Sequence, residues 1–307
     1  MDRRFFNIGG ITINFEADLD LASTSFSPAL QKFLVEGPGE DNVTLQRYFK
    51  LPDLNSFDLG NKIHNKSPWT IYENRENGHI YYKAMSSKEN GSLFWSFADY
   101  SLDYSFAKIY SRPLDKQFIL RNGWQNLTGY SSDRLWLIQL LPNRSALFMH
   151  SSAVILNGKG LLFIGRSKAG KTTTVRMFQE ARNKFGTSVD ILCDESNILR
   201  RWDNNCWHVH GTWSHGEESE VSALSAQLKS IFVIKQDTNN YIIPVSDKSK
   251  IIESLLFTLL RPHMTKSWWE KEIVLIDQLI EEIPAYEMHF DRSGKIIPIL
   301  EDFTLTN

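Results

Sequence analysis

The chain has 307 residues, 42% of them hydrophobic and 23% charged, with a net charge of −2. That is enough apolar chain for one large core or two domains, and there is no basic surplus of the kind a nucleic-acid partner requires. Two cysteines, Cys193 and Cys206, form neither a disulfide framework nor a zinc motif, and no signal-peptide core or run of membrane-spanning length is read in the sequence, so a cytoplasmic protein without membrane contact is expected.

In chain order, FFNIGGITINFEA alternates as a strand pair, and SPALQKFLV reads as a short helix. WTIYENRENGHIYYKAM reads as a hairpin in which Asn77 and Gly78 supply positive φ angles. SLFWSFADYSLDYSFAKIYS adds two strand-like runs, and SSDRLWLIQLL another short helix. ALFMHSSAVIL and GLLFIG are apolar strands joined by Asn157-Gly158. TTTVRMFQEARNKF places Val175, Phe178, Ala181 or Arg182, and Phe185 near helical spacing, and SVDILCDES reads as a buried strand. SDKSKIIESLLFTLLRP predicts a helix capped by serine or aspartate and stopped at Pro262; SWWEKEIVLIDQLIEEIP predicts a second, and AYEMHF a last strand. The pattern predicts a β-rich N-terminal domain over residues 1–130 and an α/β domain over 131–307.

The run from Gly165 to Thr172 fits G-x-x-x-x-G-K-[ST]. Glycines let successive N–H groups turn toward phosphate oxygens, and the helix that begins there adds its positive end. The expected phosphate contacts are Gly165, Arg166, Ser167, Lys168, Ala169, Gly170, Lys171, Thr172 and Thr173. Lys171 would reach the β- and γ-phosphates, and the Thr172 hydroxyl would face magnesium. ATP and magnesium are thus the expected cofactors.

Three features point past simple nucleotide binding. Asp194-Glu195 follows Lys171 by 23 positions, room for a helix, a turn and a strand. The pair should return beside the loop, one carboxylate taking a proton from an attacking hydroxyl and the other holding magnesium. If Asn157-Gly158 closes a two-residue hairpin, His150 falls opposite Gly165. HVHGTWSHGEES carries three histidines without zinc spacing, and its Glu217 and Glu218 suit a lid or a second magnesium contact.

These pieces together resemble the C-terminal catalytic domain of HPr kinase/phosphorylase, and more closely its diverged relatives found beside peptide-modification genes. The resemblance covers residues 146–290 and rests on MHSSAVILNGKGLLFIGRSKAGKTTT, ILCDES, HGTWSHGE, AQLKSIFVIKQ and IPAYEMHF, in that order. It implies an α/β fold: a P-loop kinase domain of HPr kinase/phosphoenolpyruvate carboxykinase type, preceded by a small β-rich domain. It also implies Asp194 as base, Lys171 as neutraliser of the transferring group, His150 as the orienting residue and Thr172 as a magnesium ligand, beside the metal contacts expected of Glu195 and Glu217. The chain departs from the family at Glu195, where aspartate is usual, and at HVHG, which puts His208 where a metal-binding glutamate stands. Phosphorolysis and HPr itself as substrate are therefore not carried over.

In size and layout the chain looks closest to the kinases that tailor lasso peptides, which phosphorylate a serine at the C-terminal end of a precursor peptide. The expected function is a magnesium–ATP-dependent serine kinase acting on a small peptide or protein, with the N-terminal domain docking the peptide by strand addition. The competing readings are a free-serine kinase of the same fold, a P-loop ATPase in which Glu195 activates water, and a non-catalytic nucleotide module. The oligomeric state stays open, a homo-oligomer included.

Overall fold

The computed structural model describes residues 2–19, 21–88, 91–129, 133–261 and 265–306. It comprises two compact units, Met1–Leu140 and Leu141–Asn307. The expected division at 130/131 and the helix stop at Pro262 lie outside the described residues.

In the first unit, β1 (Asp2–Ile8) and β2 (Ile11–Ala17) form a hairpin across Gly9-Gly10, both at positive φ. There follow α1 (Pro28–Gln31), β3 (Leu34–Val35), β4 (Asn42–Tyr48), β5 (Asn61–Lys66), β6 (Trp69–Asn74), β7 (His79–Lys88), β8 (Gly91–Ser101), β9 (Phe106–Ser111), α2 (Pro113–Asn122) and α3 (Arg134–Leu140). One sheet of nine strands runs β3-β1-β2-β4-β9-β8-β7-β6-β5. Alternation along each strand buries Phe6, Phe15, Leu45 and Ile109 on one side. Tyr48 and Tyr110 stack on the other, with centroids 5.0 Å apart. The β6–β7 turn differs from expectation: Asn74 pairs with His79, and Gly78 but not Asn77 has positive φ. The Asn74 side chain accepts the N–H groups of Glu76 and Asn77, closing a four-residue loop as an Asx turn.

The second unit contains β10 (Ala146–Met149), β11 (Ser152–Leu156), β12 (Lys159–Ile164), α4 (Lys171–Phe185), β13 (Val189–Cys193), β14 (Asn197–Arg201), β15 (Trp207–His210), β16 (Ser225–Gln236), β17 (Tyr241–Pro244), α5 (Lys248–Thr258), α6 (Lys266–Glu282), β18 (Ala285–Phe290) and α7 (Ile296–Thr306). Its sheet also has nine strands, making the chain a mixed α/β protein built on two large sheets. The apolar run ALFMHSSAVIL is two strands because it changes partners: β10 pairs with β14, whereas β11 pairs with β12 and β13. Asn157 and Gly158 both take positive φ and close the β11–β12 hairpin in two residues.

Helix α4 begins after Gly170 and stops at Gly186, whose left-handed backbone sends its N–H to the Arg182 carbonyl at 3.1 Å. Val175, Phe178 and Ala181 are buried, but Phe185, expected on that face, is 83% exposed. It sits in the last turn, past the end of the packed stripe. The core beneath α4 joins Phe163, Phe178 and Phe232, with ring centroids 5.9 and 5.4 Å from Phe163. Each such buried ring contributes about 1.5–3 kcal/mol. None of the helices among the described residues is long and apolar enough to cross a membrane.

Candidate active site

Strand directions bring the site together. β11 lies antiparallel between β12 and β13, and β12, β16 and β18 are parallel. The ends of β12, β13, β16 and β18 therefore share one edge, the edge where open α/β sheets bind ligands. Three segments meet there: Gly165–Lys171 leaving β12, His150-Ser151 entering β11, and Asp194-Glu195 leaving β13.

Within the loop, Lys168 has φ 66° and Gly170 φ 115°. A Cβ on Gly170 would lie 2.7 Å from Phe290 Cζ, so glycine is required there by both backbone and packing. The Gln236 side-chain amide donates to the Lys168 carbonyl at 2.9 Å and holds the bend. Arg166, Ser167 and Lys168 are exposed, so the outer side of the loop is accessible. Lys171 is buried, and its ammonium donates to the Gly165 carbonyl at 3.0 Å. Burial lowers its pKa, and the nearby Glu195 carboxylate works against that shift. A phosphate oxygen is a charged acceptor and bonds an ammonium more strongly than the carbonyl does.

Asp194 is 1% exposed, and both of its oxygens are engaged. The Thr172 hydroxyl donates to Oδ2 at 3.2 Å, the Gly216 N–H to Oδ1 at 2.7 Å and the Glu218 N–H to Oδ2 at 3.2 Å. A Cβ on Gly216 would lie 3.0 Å from Asp194 Oδ2 and 3.2 Å from Glu195 Oε2, so this glycine closes over both carboxylates. Glu195 is more open, its side chain 28% exposed, with Oε1 3.5 Å from His150 Nδ1.

The hairpin pairing runs from Leu156–Lys159 to Ser152–Phe163, the register expected from the turn. Pairing stops before His150, and that ring turns to Glu195 instead of Gly165: Nδ1 lies 2.9 Å from the Glu195 carbonyl, which also accepts the Ser151 N–H at 3.1 Å. The cause is the change of strand partners at 150–151.

Glu217, expected as a metal contact, is not brought to the acid pair. Its carboxylate takes Arg176 at 2.8 Å and is 75% exposed. Helix α4 presents Arg176, Gln179 and Arg182 on successive turns, and the loop between β15 and β16 meets them with Glu217, Glu218 and Glu220. That charge match pulls the Glu217 side chain outward while the backbone of the same loop wraps Asp194. Among the described residues no group of three His, Cys, Asp or Glu side chains is arranged to hold a metal. His208 and His210 lie on β15, and burial, reinforced by His208 and Arg200, pushes the His210 pKa down to about 3, leaving a neutral ring.

Sequence reasoning missed Gly216, Gln236, Phe290 and Asn197. The Asn197 amide donates to the carbonyls of Ser151 at 2.8 Å and Cys193 at 3.4 Å, tying the start of β11 to the end of β13. Gly216, Gln236 and Phe290 lie inside stretches quoted above, but no local spacing singles any of the four out. Each matters through a partner 40 or more positions away or through a packing distance, except Gly216, which an adjoining acidic run concealed.

No protein-family model matches the chain, and no curated protein matches it. Among solved structures, that of the Hpr(Ser) kinase/phosphatase from Coxiella burnetii is similar at 10% identity and a TM-score of 0.30, over 52% of this chain and 97% of that one.

Proposed function

We propose that the protein is a magnesium–ATP-dependent kinase with a P-loop domain, transferring the γ-phosphoryl group to a serine hydroxyl of a small peptide or protein, a lasso-type precursor peptide first among them. The observation that carries this reading is the convergence of Lys171 and Thr172 with Asp194, Glu195 and His150 on one sheet edge. The residues present fit the ligands. The loop from Gly165 to Thr173 and the N-terminus of α4 form an anion cradle. Thr172 and Asp194 are a hard-oxygen pair that would hold magnesium beside bound phosphates. Magnesium held there would neutralise charge on the phosphates.

The chain's own residues divide the remaining work. Lys171 stabilises charge on the transferring group. Asp194, engaged by Thr172, Gly216 and Glu218, belongs to the metal side. Glu195 is the open carboxylate, so it takes the acceptor's proton, with His150 fixing its position. This reverses the base role that the family likeness implied for Asp194. The serine oxygen bonds to the γ-phosphorus as the bond to the β-phosphate oxygen breaks, the hydroxyl proton passes to Glu195, and ADP leaves. For the peptide, β5 ends the first unit's sheet and is largely exposed, an edge open to an added strand.

Mass spectrometry after incubation with magnesium–ATP tests the whole reading. The substrates are a serine-ended precursor peptide, its alanine version and free serine; the proteins are wild type, Glu195→Gln and Ile63→Pro. A phosphate mass gain on the serine peptide is expected, reduced about 100-fold by Glu195→Gln and weakened by the β5 proline. Gain on free serine alone would move the answer to a small-molecule kinase, and ADP without phosphorylated product to an ATPase. Full activity in Glu195→Gln would return the base role to Asp194, and an unaffected Ile63→Pro would remove the β5 docking edge.

A further inference from the structure

Thr172 and Arg176 stand one turn apart on α4 and so share a face of the helix. The Thr172 hydroxyl and the Glu218 N–H both donate to Asp194 Oδ2, each at 3.2 Å. The Glu218 carboxylate turns back to α4, where Arg176 Nε donates to its Oε1 at 2.6 Å. A ring of contacts therefore closes: Thr172 to Asp194, Asp194 to the Glu218 backbone, the Glu218 side chain to Arg176, and one helical turn back to Thr172. The other arm of the guanidinium, Nη2, donates to Glu217 Oε2 at 2.8 Å. The loop is also anchored on either side of this grip. The Thr212 hydroxyl donates to the Ser196 carbonyl at 2.7 Å, the Ser222 N–H to the Leu192 carbonyl at 3.0 Å, and Arg182 holds Glu220. Between those anchors His215, Gly216 and Glu217 are exposed.

We propose that Arg176 is a positioning residue for the metal side of the site: by gripping Glu217 and Glu218 it keeps the N–H groups of Gly216 and Glu218 on Asp194. The metal consequence rests on the magnesium–ATP reading above; the grip on the loop does not. Magnesium tolerates little departure from octahedral geometry, so a carboxylate that holds it must itself be held by hydrogen-bond partners. The loop supplies two such partners to Asp194, and Arg176 touches the loop at Glu218 and at the residue next to Gly216. The guanidinium is half-exposed, where a single ion pair contributes little and salt screens it. Here one planar fork joins two successive carboxylates, which fixes the backbone between them. The grip is thus firm at low ionic strength and loose at high, and the hold on magnesium follows it.

Two measurements on the full chain test this. Hydrogen–deuterium exchange without nucleotide or metal reads the loop between β15 and β16. Calorimetry with a non-hydrolysable ATP analogue, with and without magnesium, reads the gain in affinity that the metal brings. Arg176→Ala is expected to speed loop exchange about fivefold and to cut the magnesium gain about fivefold, with metal-free affinity within about twofold of wild type. Raising salt from about 0.1 M to about 1 M shortens the screening length from about 10 Å to about 3 Å. That should speed loop exchange in wild type and change Arg176→Ala little. Arg176→Glu combined with Glu218→Arg, the pair reversed, should recover the slow exchange that Arg176→Glu alone loses. Equal loop exchange in wild type and Arg176→Ala overturns the grip. An equal loss of the magnesium gain in Arg182→Ala, which frees Glu220 but neither residue whose N–H meets Asp194, would mean general loosening and overturns the positioning role. If wild type gains nothing from magnesium, the magnesium–ATP reading fails and the metal consequence with it, while exchange still decides the grip. Should Arg176→Ala fail to fold, wild-type exchange across salt decides: a salt dependence supports the grip, and none overturns it.

Discussion

Replacing Lys171 with alanine is expected to lower phosphoryl transfer by about 100- to 1,000-fold without unfolding the protein. Two consequences of one side chain pull apart here. In the folded protein its ammonium is buried, its pKa is lowered by desolvation, and the hydrogen bond observed for it goes to a carbonyl of its own loop. A group held that way adds little to stability, so the melting temperature should hold or rise. Its charge stabilises only a charged ligand, so nucleotide affinity and transfer should both fall. Parallel measurement of melting temperature and transfer rate checks this. Wild-type activity in the variant would remove the phosphate loop from the mechanism, and a collapse of the fold would make Lys171 structural.

The second large effect lies away from the site. Glu272 faces inward on α6, 1% exposed, and its Oε2 has no hydrogen-bond partner among the described residues. Burial pushes its pKa from 4.5 up to about 8. In the unfolded chain the same carboxyl ionises near 4.5, so between these values the folded state binds more protons than the unfolded one. Stability therefore falls as pH rises through that window, by about 3 kcal/mol from this group at pH 7. Glu272→Gln keeps the shape and removes the proton, so it should stabilise the protein by about that amount at pH 7 and give no gain near pH 4.5. Denaturant titrations of both proteins at pH 5 and 7.5 check it. Two curves displaced equally at both pH values would show that Glu272 does not titrate in this window.

The parts of this site that could be read from the sequence are the local ones. Gly165 to Thr172 is contiguous, and the Asn157-Gly158 turn fixes the β11–β12 register because its two positive φ angles leave one way to close the hairpin. Asp194 was reachable because a helix, a turn and a strand have nearly fixed lengths. The break at His150 was not legible, since an unbroken apolar run does not say which neighbour each half will choose. The side-chain direction of Glu217 was set by Arg176, 41 positions earlier and on the outside of α4, whereas composition alone marked the whole acidic loop as one feature. Helix α2 shows the same limit: none of its residues is buried, so no amphipathic stripe announced it.

The backbone N–H groups of Gly216 and Glu218 that hold Asp194 have a consequence of their own. Together with the Thr172 hydroxyl they form a receptor shaped for a carboxylate, and a receptor filled by a side chain will accept the same group supplied free. An Asp194→Gly variant is therefore a candidate for chemical rescue. Formate should restore part of the lost activity in a saturable way, and acetate, larger by a methyl group, should restore less. Activity indifferent to formate would mean that the loop needs the tethered side chain to take its shape. Where rescue succeeds, the acid on β13 is a replaceable part, and what the chain itself must encode is the socket.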